Sequence, residues 1–368
     1  MGSPRNFPLP APGPELDALL ASLPDLPAVF LLTAAGGQPY LSKTAVLGRR
    51  VRRLLNADDK RRAALNLRGV VEHLSYWPTA SRLESALVFY ELAREHYPEN
   101  YLKVCNLRMP SYMRLLVRND FPRTQVTMRP TGRGLAFGPF RSRASAEEFE
   151  KATLDLFQVR RCQEDLHPSP EHPGCIYGEM AQCLRPCQAA VTRDEYASEV
   201  ERLVEFLSTE GRSLAETVER MRDSFSADMQ FEEAARQHRR LEKIQSVWRL
   251  RDELATGASS MNGVAVLKAA EANAVTLVFL LDGAWLAPLI FNLQAVDGRP
   301  VSLDRRLREI LQALEPRQIT QAERAEHLAL LARWFYSSWR DGEWLSFPRQ
   351  DNVAYRKLVN MVHRVSGV

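Results

Sequence analysis

Cysteine is scarce in this chain of 368 residues, which has five cysteines, four of them between Cys162 and Cys187. So low a content excludes a disulfide-rich secreted domain, because such domains carry many cysteines in a short chain. The N-terminus lacks the apolar segment of a signal peptide. The most apolar run, residues 274–291, is interrupted by Asp282 and Gly283, which suit a turn between two strands better than a membrane span. We therefore expect a cytoplasmic protein with no membrane contact.

Strong net charge is also lacking, since the formal net charge is +4 at pH 7. The whole-chain charge therefore does not by itself indicate nucleic acid or membrane as a partner. One segment differs, because residues 43–68 hold nine basic residues against Asp58 and Asp59. Within it, LGRRVRRLL places its apolar residues on one face of a helix and covers the rest with Arg49, Arg50, Arg52 and Arg53. This local surplus predicts an anionic neighbour.

The hydrophobic pattern predicts an α/β protein in several parts. With 45% hydrophobic residues, each of two or three domains can have its own core. PAVFLL and QPYLS indicate two strands joined by a glycine turn and followed by helices, which is typical of a small α/β unit. We expect a disordered proline-rich arm over residues 1–22, this α/β unit over 23–104, a linker and cysteine-rich region over 105–192, a helical hairpin region over 193–256 and an α+β domain over 257–368.

Local signals predict several further elements. YLKVCNL and QVTMRP have the composition of strands. Three capping boxes predict helix starts, at Ser145, Thr192 and Ser213. Another helix is predicted from residue 228 to residue 254, with an apolar stripe so narrow that we expect it to be buried only against a partner. The stripe consists of Phe231, Ala234, Ala235, Leu241 and Ile244.

Four cysteines cluster in one proline-rich loop with the spacing C-x12-C-x7-C-x3-C. They are Cys162, Cys175, Cys183 and Cys187. In a reducing compartment such clusters are metal ligands or redox groups more often than disulfides, and thiolate is the soft ligand that iron–sulfur clusters and structural zinc select. The spacing alone leaves both kinds of centre open. It also leaves open a mixed site with His167 and His172, or a set of buried apolar cysteines.

The order of these features resembles the N-terminal half of the UvrC family of ABC excinucleases. The resemblance runs from about Pro27 to Leu254, and its most specific part is the cysteine spacing together with CLRPC. It implies a GIY-YIG nuclease domain, a cysteine cluster that holds a 4Fe-4S centre, and a UVR motif that docks on the repair helicase UvrB. It therefore implies DNA as a partner and nucleotide excision repair as the process.

The nuclease part of the resemblance is incomplete. Tyr40, Lys43 and Arg50 match the second tyrosine, the lysine and the arginine of a GIY-YIG site. Phe30 stands in place of the first tyrosine, and Phe89 in place of the glutamate that holds the divalent metal ion. A phenyl ring cannot coordinate a metal ion, and phosphodiester cleavage in this design depends on one. The resemblance thus implies a degenerate nuclease site.

Two hypotheses follow for this domain. In the first, it is an adaptor that binds DNA or a partner, with Arg49, Arg52 and Arg53 as DNA contacts. In the alternative, it is an active endonuclease that makes a single incision with Mg²⁺, and Glu84 or Glu91 supplies the missing carboxylate.

The UVR part of the resemblance depends on Phe231, Glu232 and Ala234, whereas His238-Arg239 stands where the family has Arg-Asp. It implies docking on a UvrB-like helicase, with a self-contained hairpin or a homodimer as the alternative. Residues 262–291 resemble only the sheet that opens the RNase-H-like half of the family, without the inward carboxylates of a two-metal nuclease. We therefore expect a truncated RNase-H-like domain, and a tryptophan-rich end that forms core or a partner surface.

Overall fold

Within the described residues the chain forms three small antiparallel sheets with helices packed on them. The structure is a computed structural model, which describes residues 4–55, 67–117, 119–130, 134–294 and 302–367. The predicted α/β class is confirmed, as is the α+β character of the C-terminal part. No helix in these ranges is both long and apolar enough to cross a membrane.

The first sheet belongs to the N-terminal unit and has the strand order β1-β4-β2-β3. Its strands are β1 (Arg5–Pro8), β2 (Ala28–Thr33), β3 (Tyr40–Thr44) and β4 (His73–Pro78). Its helices are α1 (Pro14–Ser22), α2 (Leu47–Leu55), α3 (Arg82–His96) and the short α4 (Tyr101–Val104). Because alternate residues of a strand point to opposite faces, Phe30 packs with α1 and α2, while Val29 and Leu31 pack with α3. The sheet therefore has two differently covered faces.

The prediction of a disordered arm over residues 1–22 is wrong for its described part. β1 pairs with β4, and the Phe7 ring stacks on the Tyr76 ring with centroids 5.8 Å apart. α1 buries Leu16 and Leu20, which lie four residues apart on one helical face. The proline content concealed this helix, because Pro14 occupies the first helical turn, where proline is tolerated.

The second sheet, of order β6-β5-β7-β8, joins the cysteine-rich region to the helical region. Its strands are β5 (Ser111–Leu116), β6 (Arg123–Thr127), β7 (Ala136–Phe140) and β8 (Thr256–Gly257). The helices are α5 (Arg143–Leu154), α6 (Ile176–Glu179), α7 (Arg193–Ser208), α8 (Arg212–Ala227) and α9 (Phe231–Arg249), with a 3-10 turn at Pro186–Gln188. Phe149, Phe206 and Trp248, from α5, α7 and α9, form one aromatic cluster. The two regions, which we expected to be separate segments, thus share one core.

Some local predictions for these regions are wrong. YLKVCNL is not a strand, because it contains α4. The boxes at Ser145 and Ser213 do not start helices, since α5 is capped by Ser142 and α8 begins after Gly211 without a capping side chain. The box at Thr192 is confirmed as the start of α7. Capping sequences recur by chance in a charged chain, and only those preceded by extended backbone, as at Ser142, can cap a helix.

The third sheet forms the C-terminal unit, in the order β11-β10-β9-β13 with β12 beside β10. Its strands are β9 (Gly263–Lys268), β10 (Ala274–Leu281), β11 (Ala284–Trp285), β12 (Leu289–Asn292) and β13 (Gly342–Ser346), and its helices are α10 (Leu303–Ala313), α11 (Gln321–Phe335) and α12 (Tyr355–Ser366). The predicted turn is confirmed, because Asp282 and Gly283 join β10 to β11 with positive φ. Trp334 is fully buried, as expected for core, and Trp344 is half-buried in β13.

One hydrophobic cluster connects the N-terminal and C-terminal units through α3 and α11. Polar contacts reinforce this connection, since the hydroxyls of Tyr90 and Tyr101 both donate to Glu326 and Arg94 pairs with Glu323 at 2.7 Å. Glu326 is 5% exposed, and its carboxylate is tolerated there because it accepts these two hydrogen bonds. The N-terminal and C-terminal units are therefore joined both by apolar packing and by polar contacts.

Candidate nucleic-acid interface and cysteine centre

Tyr40 and Arg50 meet on the α2 side of the first sheet. Arg50 Nη2 donates to the Tyr40 hydroxyl at 3.2 Å. The Tyr40 ring lies 6.2 Å from the ring of Phe30, which is fully buried. Because Phe30 has no hydroxyl, this cluster has one phenol in contact with one guanidinium and lacks the tyrosine pair that the resemblance would require.

Lys43 lies on the other face of the same sheet. Side chains of a strand alternate with a period of two, so Tyr40 and Lys43, three positions apart in β3, point in opposite directions. The Lys43 ammonium sits over the Phe89 ring, 5.5 Å from its centre. Partial burial and the nearby Arg333 lower the pKa of Lys43. The structure therefore does not bring Tyr40, Lys43 and Arg50 together as one site.

The two glutamates considered as replacements for the lost metal ligand are engaged elsewhere. Glu84 accepts the Ala80 amide at 2.8 Å before the start of α3, and burial raises its pKa. Glu91 pairs with Arg317 at 3.6 Å. In the described part of the chain, no carboxylate is hydrogen-bonded to the Tyr40 hydroxyl, whose partner is Arg50.

A pocket of ≈ 520 Å³ opens beside Lys43, between the N-terminal and C-terminal units. Its described lining carries three cations, Lys43, Arg82 and Arg333, and one carboxylate, Asp341. Asp341 already accepts the Arg82 amide at 2.5 Å and the Trp334 indole N–H at 3.1 Å. The electrostatics of this pocket therefore favour an anionic group.

The helix α2 carries the basic face on which DNA binding was predicted. Arg49 and Arg53 are exposed to solvent. Arg52 instead pairs with Asp25 at 3.4 Å, on the side of α2 that faces α1. Three further cations of the predicted cluster lie outside the described residues, namely Lys60, Arg61 and Arg62. The solvent-facing charge of α2 thus comes from Arg49 and Arg53.

The four clustered cysteines lie in one neighbourhood between α5 and α7. Cys183 and Cys187 are buried, while Cys162 and Cys175 are partly buried. Burial, with a contribution from the three other thiols, raises the pKa of Cys183 to about 11. Neighbouring thiols hinder one another's ionisation, whereas a bound metal cation favours the thiolate form of its ligands.

The loop has the donor chemistry of a thiolate-bound centre. Within the described ranges, no group of three or more His, Cys, Asp and Glu side chains is arranged so that it could hold a metal ion. N–H groups nevertheless point at two of the sulfurs, since the Arg185 amide donates to Cys183 Sγ at 3.4 Å and Arg160 Nη1 donates to Cys162 Sγ at 3.4 Å. Hydrogen bonds of this kind surround the cysteine ligands of iron–sulfur clusters.

The histidines of the loop fit a metal site less well than the sulfurs do. His172 Nδ1 accepts the Gly174 amide at 3.0 Å, so one ring nitrogen is engaged in shaping the turn. His167 is exposed to solvent. The four thiols therefore form the better donor set of this loop.

The helices α8 and α9 form an antiparallel hairpin with a buried base and an exposed tip. Leu241 lies in the same core as α5 and α7, so the prediction that the stripe is buried only against a partner is wrong for the base. At the tip, Met229 is 77% exposed and Phe231 is 67% exposed. Glu232 is also exposed, and Ala234 is half-buried. The predicted partner-binding residues thus lie on an accessible surface.

Arg160 is a residue that the sequence analysis missed. It is 1% exposed, and its guanidinium donates to the Phe121 carbonyl at 2.9 Å and to the Glu164 carbonyl at 2.7 Å. The available signal was the pair Arg160-Arg161 directly before Cys162. A pair of arginines gives no sign of which one is buried, because burial depends on the surrounding chain.

A family model described as UvrC/Cho excinuclease, middle domain, matches residues 112–206. This range includes β5 except Ser111, the strands β6 and β7, helices α5 to α7 except the last two residues of α7, and all four clustered cysteines. The match therefore falls on the part of the chain that carries the cysteine loop.

Relatives named UvrABC system protein C cover more of the chain. The protein from Moorella thermoacetica is 28% identical over 271 residues, which are 73% of this chain and 44% of that protein. The proteins from Acetivibrio thermocellus and Lachnospira eligens are each 24% identical, over 95% and 77% of this chain and over 57% and 47% of their own lengths. The chain spans about half the length of these curated relatives. No solved structure matches it. The chain is thus similar to UvrC proteins over most of its length, and its middle part matches the UvrC/Cho family model.

Proposed function

We propose that this protein binds DNA and a repair partner in nucleotide excision repair without cutting the strand itself. The observation that carries this proposal is the Phe89 ring beneath the Lys43 ammonium, at the position where the family resemblance places a metal-binding carboxylate. The repair role is supported by relatives that are named as components of the UvrABC system. The N-terminal domain would then act as an adaptor.

The chemistry of strand cleavage explains why this substitution matters. Hydrolysis of a phosphodiester requires positive charge that stabilises the transition state and a positioned nucleophile, and in a one-metal nuclease a carboxylate holds the cation that supplies the charge. Phe89 offers no ligand atom, and Tyr40 faces the opposite side of the sheet from Lys43. Of the nuclease-site residues that the resemblance implies, the metal ligand is thus missing, and the remaining tyrosine and lysine lie on opposite faces of the sheet.

The surviving cations support a function in DNA binding. Arg49 and Arg53 are exposed on α2, while Lys43, Arg82 and Arg333 line the pocket on the opposite face of the first sheet. Contacts of this kind neutralise backbone phosphates and position a protein on DNA without reading its sequence. The lesion or DNA structure would then be selected by shape or by a partner protein.

The tip of the α8–α9 hairpin supports docking on a UvrB-like helicase. Met229 and Phe231 expose apolar side chains at the end of a helical hairpin, where they cannot reach the core of their own chain. An exposed aromatic residue on a helix is a common anchor of helix-mediated interfaces. A homodimer through the same tip is the competing arrangement.

We further propose that Cys162, Cys175, Cys183 and Cys187 bind a 4Fe-4S cluster, with zinc as the alternative. The all-thiol donor set and the N–H groups beside two sulfurs support either centre. When bound, the centre would cross-link a loop that contains little secondary structure of its own. Metal analysis and absorbance of anaerobically purified protein distinguish the two, because the zinc protein is colourless.

An active endonuclease that uses Mg²⁺ is the second candidate function, and the retained hydrogen bond between Arg50 and Tyr40 favours it. A cleavage assay separates the candidates. Purified protein with Mg²⁺ or Mn²⁺ is expected to shift a nicked or lesion-bearing duplex in a gel without cutting it, because Phe89 offers no ligand atom and Glu84 and Glu91 are engaged elsewhere. Cleavage by the wild-type protein that disappears in Tyr40→Phe would establish the endonuclease instead.

A further inference from the structure

Arg160 brings a positive charge into the interior next to the cysteine loop. It follows α5 in the chain and is 1% exposed. Its Nε donates to the Phe121 carbonyl at 2.9 Å, and its Nη1 donates to the Glu164 carbonyl at 2.7 Å and to Cys162 Sγ at 3.4 Å. Its Nη2 is buried and has no hydrogen-bond partner among the described residues. The guanidinium is thus held in place but only partly satisfied.

The charge of Arg160 is not balanced by a carboxylate. No ion pair of Arg160 occurs within the described ranges, whereas the adjacent Arg161 pairs with Asp155 at 2.7 Å. Carbonyl oxygens satisfy hydrogen bonds but do not neutralise a cation, and an unpaired buried charge is strongly unfavourable. The protein without a ligand in the loop therefore has a positive charge in need of a negative partner.

The cysteine loop supplies such a partner once it binds a metal centre. Four thiolates around zinc, or around an oxidised 4Fe-4S cluster, leave roughly two negative charges in excess. Cys162 is already in contact with Arg160, and two further thiols of the loop, Cys183 and Cys187, are buried. The position of Arg160 is fixed from the other side, because its amide donates to the Tyr196 hydroxyl at 3.0 Å, and this hydroxyl donates to the Pro122 carbonyl at 2.7 Å.

We propose that Arg160 is the buried counter-cation of the cysteine centre and positions Cys162 as a thiolate ligand through the Nη1–H···Sγ bond. The inference depends on the proposed binding of a metal centre by the four cysteines. It assigns Arg160 a positioning role, not a ligand role, and explains why an arginine without a carboxylate is buried at this point. Partners that orient metal ligands typically change metal affinity ~10–100-fold when they are removed.

The test compares Arg160→Met with Arg161→Met in the full chain, purified anaerobically. Arg160→Met is expected to lose iron or zinc to a chelator ~10–100-fold faster than the wild type, because the centre loses its counter-charge and the Cys162 hydrogen bond. Arg161→Met removes an equal charge from an ion pair beside the loop and is expected to keep the wild-type rate. Arg160→Lys restores the charge without the planar fork and is expected to lie between wild type and Arg160→Met.

A second measurement separates positioning of the metal from a role in folding alone. If Arg160 balances the negative charge of the centre, Arg160→Met lowers the Tm of the metal-bound protein more than that of the metal-free protein. The reason is that only the metal-bound protein contains the negatively charged centre that Arg160 stabilises. An iron–sulfur centre also becomes harder to reduce in this variant, since a nearby positive charge has been removed. Should Arg160→Met fail to fold, Arg160→Lys is compared with wild type in the same two states.

The outcomes distinguish this inference from the proposal on which it rests. A wild-type protein that binds neither iron nor zinc would reject the cysteine centre and the inference together. A metal-binding wild type, with equal metal loss in Arg160→Met or an equal fall in Tm in both states, would reject the role of Arg160 alone.

Discussion

Tyr90 and Tyr112 are both fully buried tyrosines, but their hydroxyl groups have different surroundings. The Tyr90 hydroxyl donates to the buried carboxylate of Glu326. The Tyr112 hydroxyl is buried with no hydrogen-bond partner in the described part of the chain. Burial raises the pKa of both groups, so each remains a neutral phenol at physiological pH. Only the first hydroxyl therefore contributes a hydrogen bond to stability.

This contrast yields a prediction at the residue scale. Tyr90→Phe is expected to lower the free energy of unfolding by ~1–3 kcal/mol, because it leaves a buried carboxylate short of one donor. Tyr112→Phe is expected to be neutral within ~0.5 kcal/mol or stabilising, because it removes an unpaired buried hydroxyl. Urea denaturation of both variants measures the difference, and equal losses would contradict it.

At the scale of elements, α2 and the α8–α9 hairpin each have one face committed to the core and one face open to solvent. In α2 the apolar residues Leu47, Val51 and Leu54 are buried, and the arginines lie outside them. In α9 the buried face ends before the tip, where Phe231 is exposed. Each open face is therefore available for a partner, and each is tested by a matched substitution.

For α2 we expect weaker DNA binding after Arg49→Gln combined with Arg53→Gln. Affinity should fall alike for unrelated duplex sequences, and the slope of log affinity against log salt should become shallower by up to about 2, because fewer phosphates are neutralised. The control is Arg305→Gln with Arg308→Gln on α10, which removes the same charge from arginines paired with Glu309 and Asp304. An equal loss of affinity in the control would point to net charge instead of the α2 surface.

For the hairpin we expect Phe231→Ala to impair partner binding and Leu241→Ala to impair folding. Phe231 is exposed, so its truncation should leave the free energy of unfolding within about 0.5 kcal/mol of wild type. Association with a UvrB-type protein should weaken by about tenfold or more, as for an aromatic anchor. Leu241→Ala should cost ~2–5 kcal/mol of stability because Leu241 is buried. Unchanged association of Phe231→Ala in calorimetry, with loss of a homodimer, would favour the competing arrangement.

At the scale of the whole molecule, the N-terminal and C-terminal units are joined by a buried network on α3 and α11. His327, on α11, is 1% exposed and accepts the Trp285 amide through Nδ1 at 3.0 Å. Burial lowers the pKa of His327 to about 4, although Glu323, 3.8 Å away, acts in the opposite direction. The folded protein therefore keeps this imidazole neutral at pH values where the unfolded chain would protonate it.

This depressed pKa predicts a loss of stability on acidification. An unfolded histidine binds its proton near pH 6.5, so between about pH 6.5 and pH 4 the unfolded state holds more protons and stability falls as the pH falls. From pH 7 to pH 5 the wild type is expected to lose about 2 kcal/mol more than His327→Gln. Urea denaturation of both proteins at both pH values measures this. Parallel losses in the wild type and His327→Gln would contradict the prediction.

Local patterns were sufficient for elements whose signals lie within a few residues. The strands PAVFLL and QPYLS, the basic helix and the Asp282-Gly283 turn follow from periodicity and turn chemistry, and all are present. β1 was missed because it is stabilised by β4, which lies far along the chain and pairs Leu74 with Phe7. YLKVCNL was assigned to a strand because its composition suits one, but the chain forms a helical turn there.

In the candidate site, too, some features follow from the local sequence and others depend on packing between distant elements. The four cysteines can be read from residue identity and spacing, and the resemblance to the UvrC family implies that Phe89 stands in place of a metal-binding glutamate. The separation of Lys43 from Tyr40 follows from alternation along β3, but alternation alone does not say which face meets α2 and which meets α3, and this was decided by packing. The burial of Arg160 against Cys162 depends on Phe121, Glu164 and Tyr196, which approach it from other parts of the fold.

By itself, the sequence determined the resemblance to the UvrC family, the class of fold and the residue types available for chemistry, because these depend on identity and on spacing along the chain. The tertiary structure alone decided which of those residues meet. It placed an aromatic ring under Lys43, left Phe231 in solvent and buried Arg160 beside a thiol. The physical reason is that contact and burial are set by packing between elements distant in sequence, which no local pattern records.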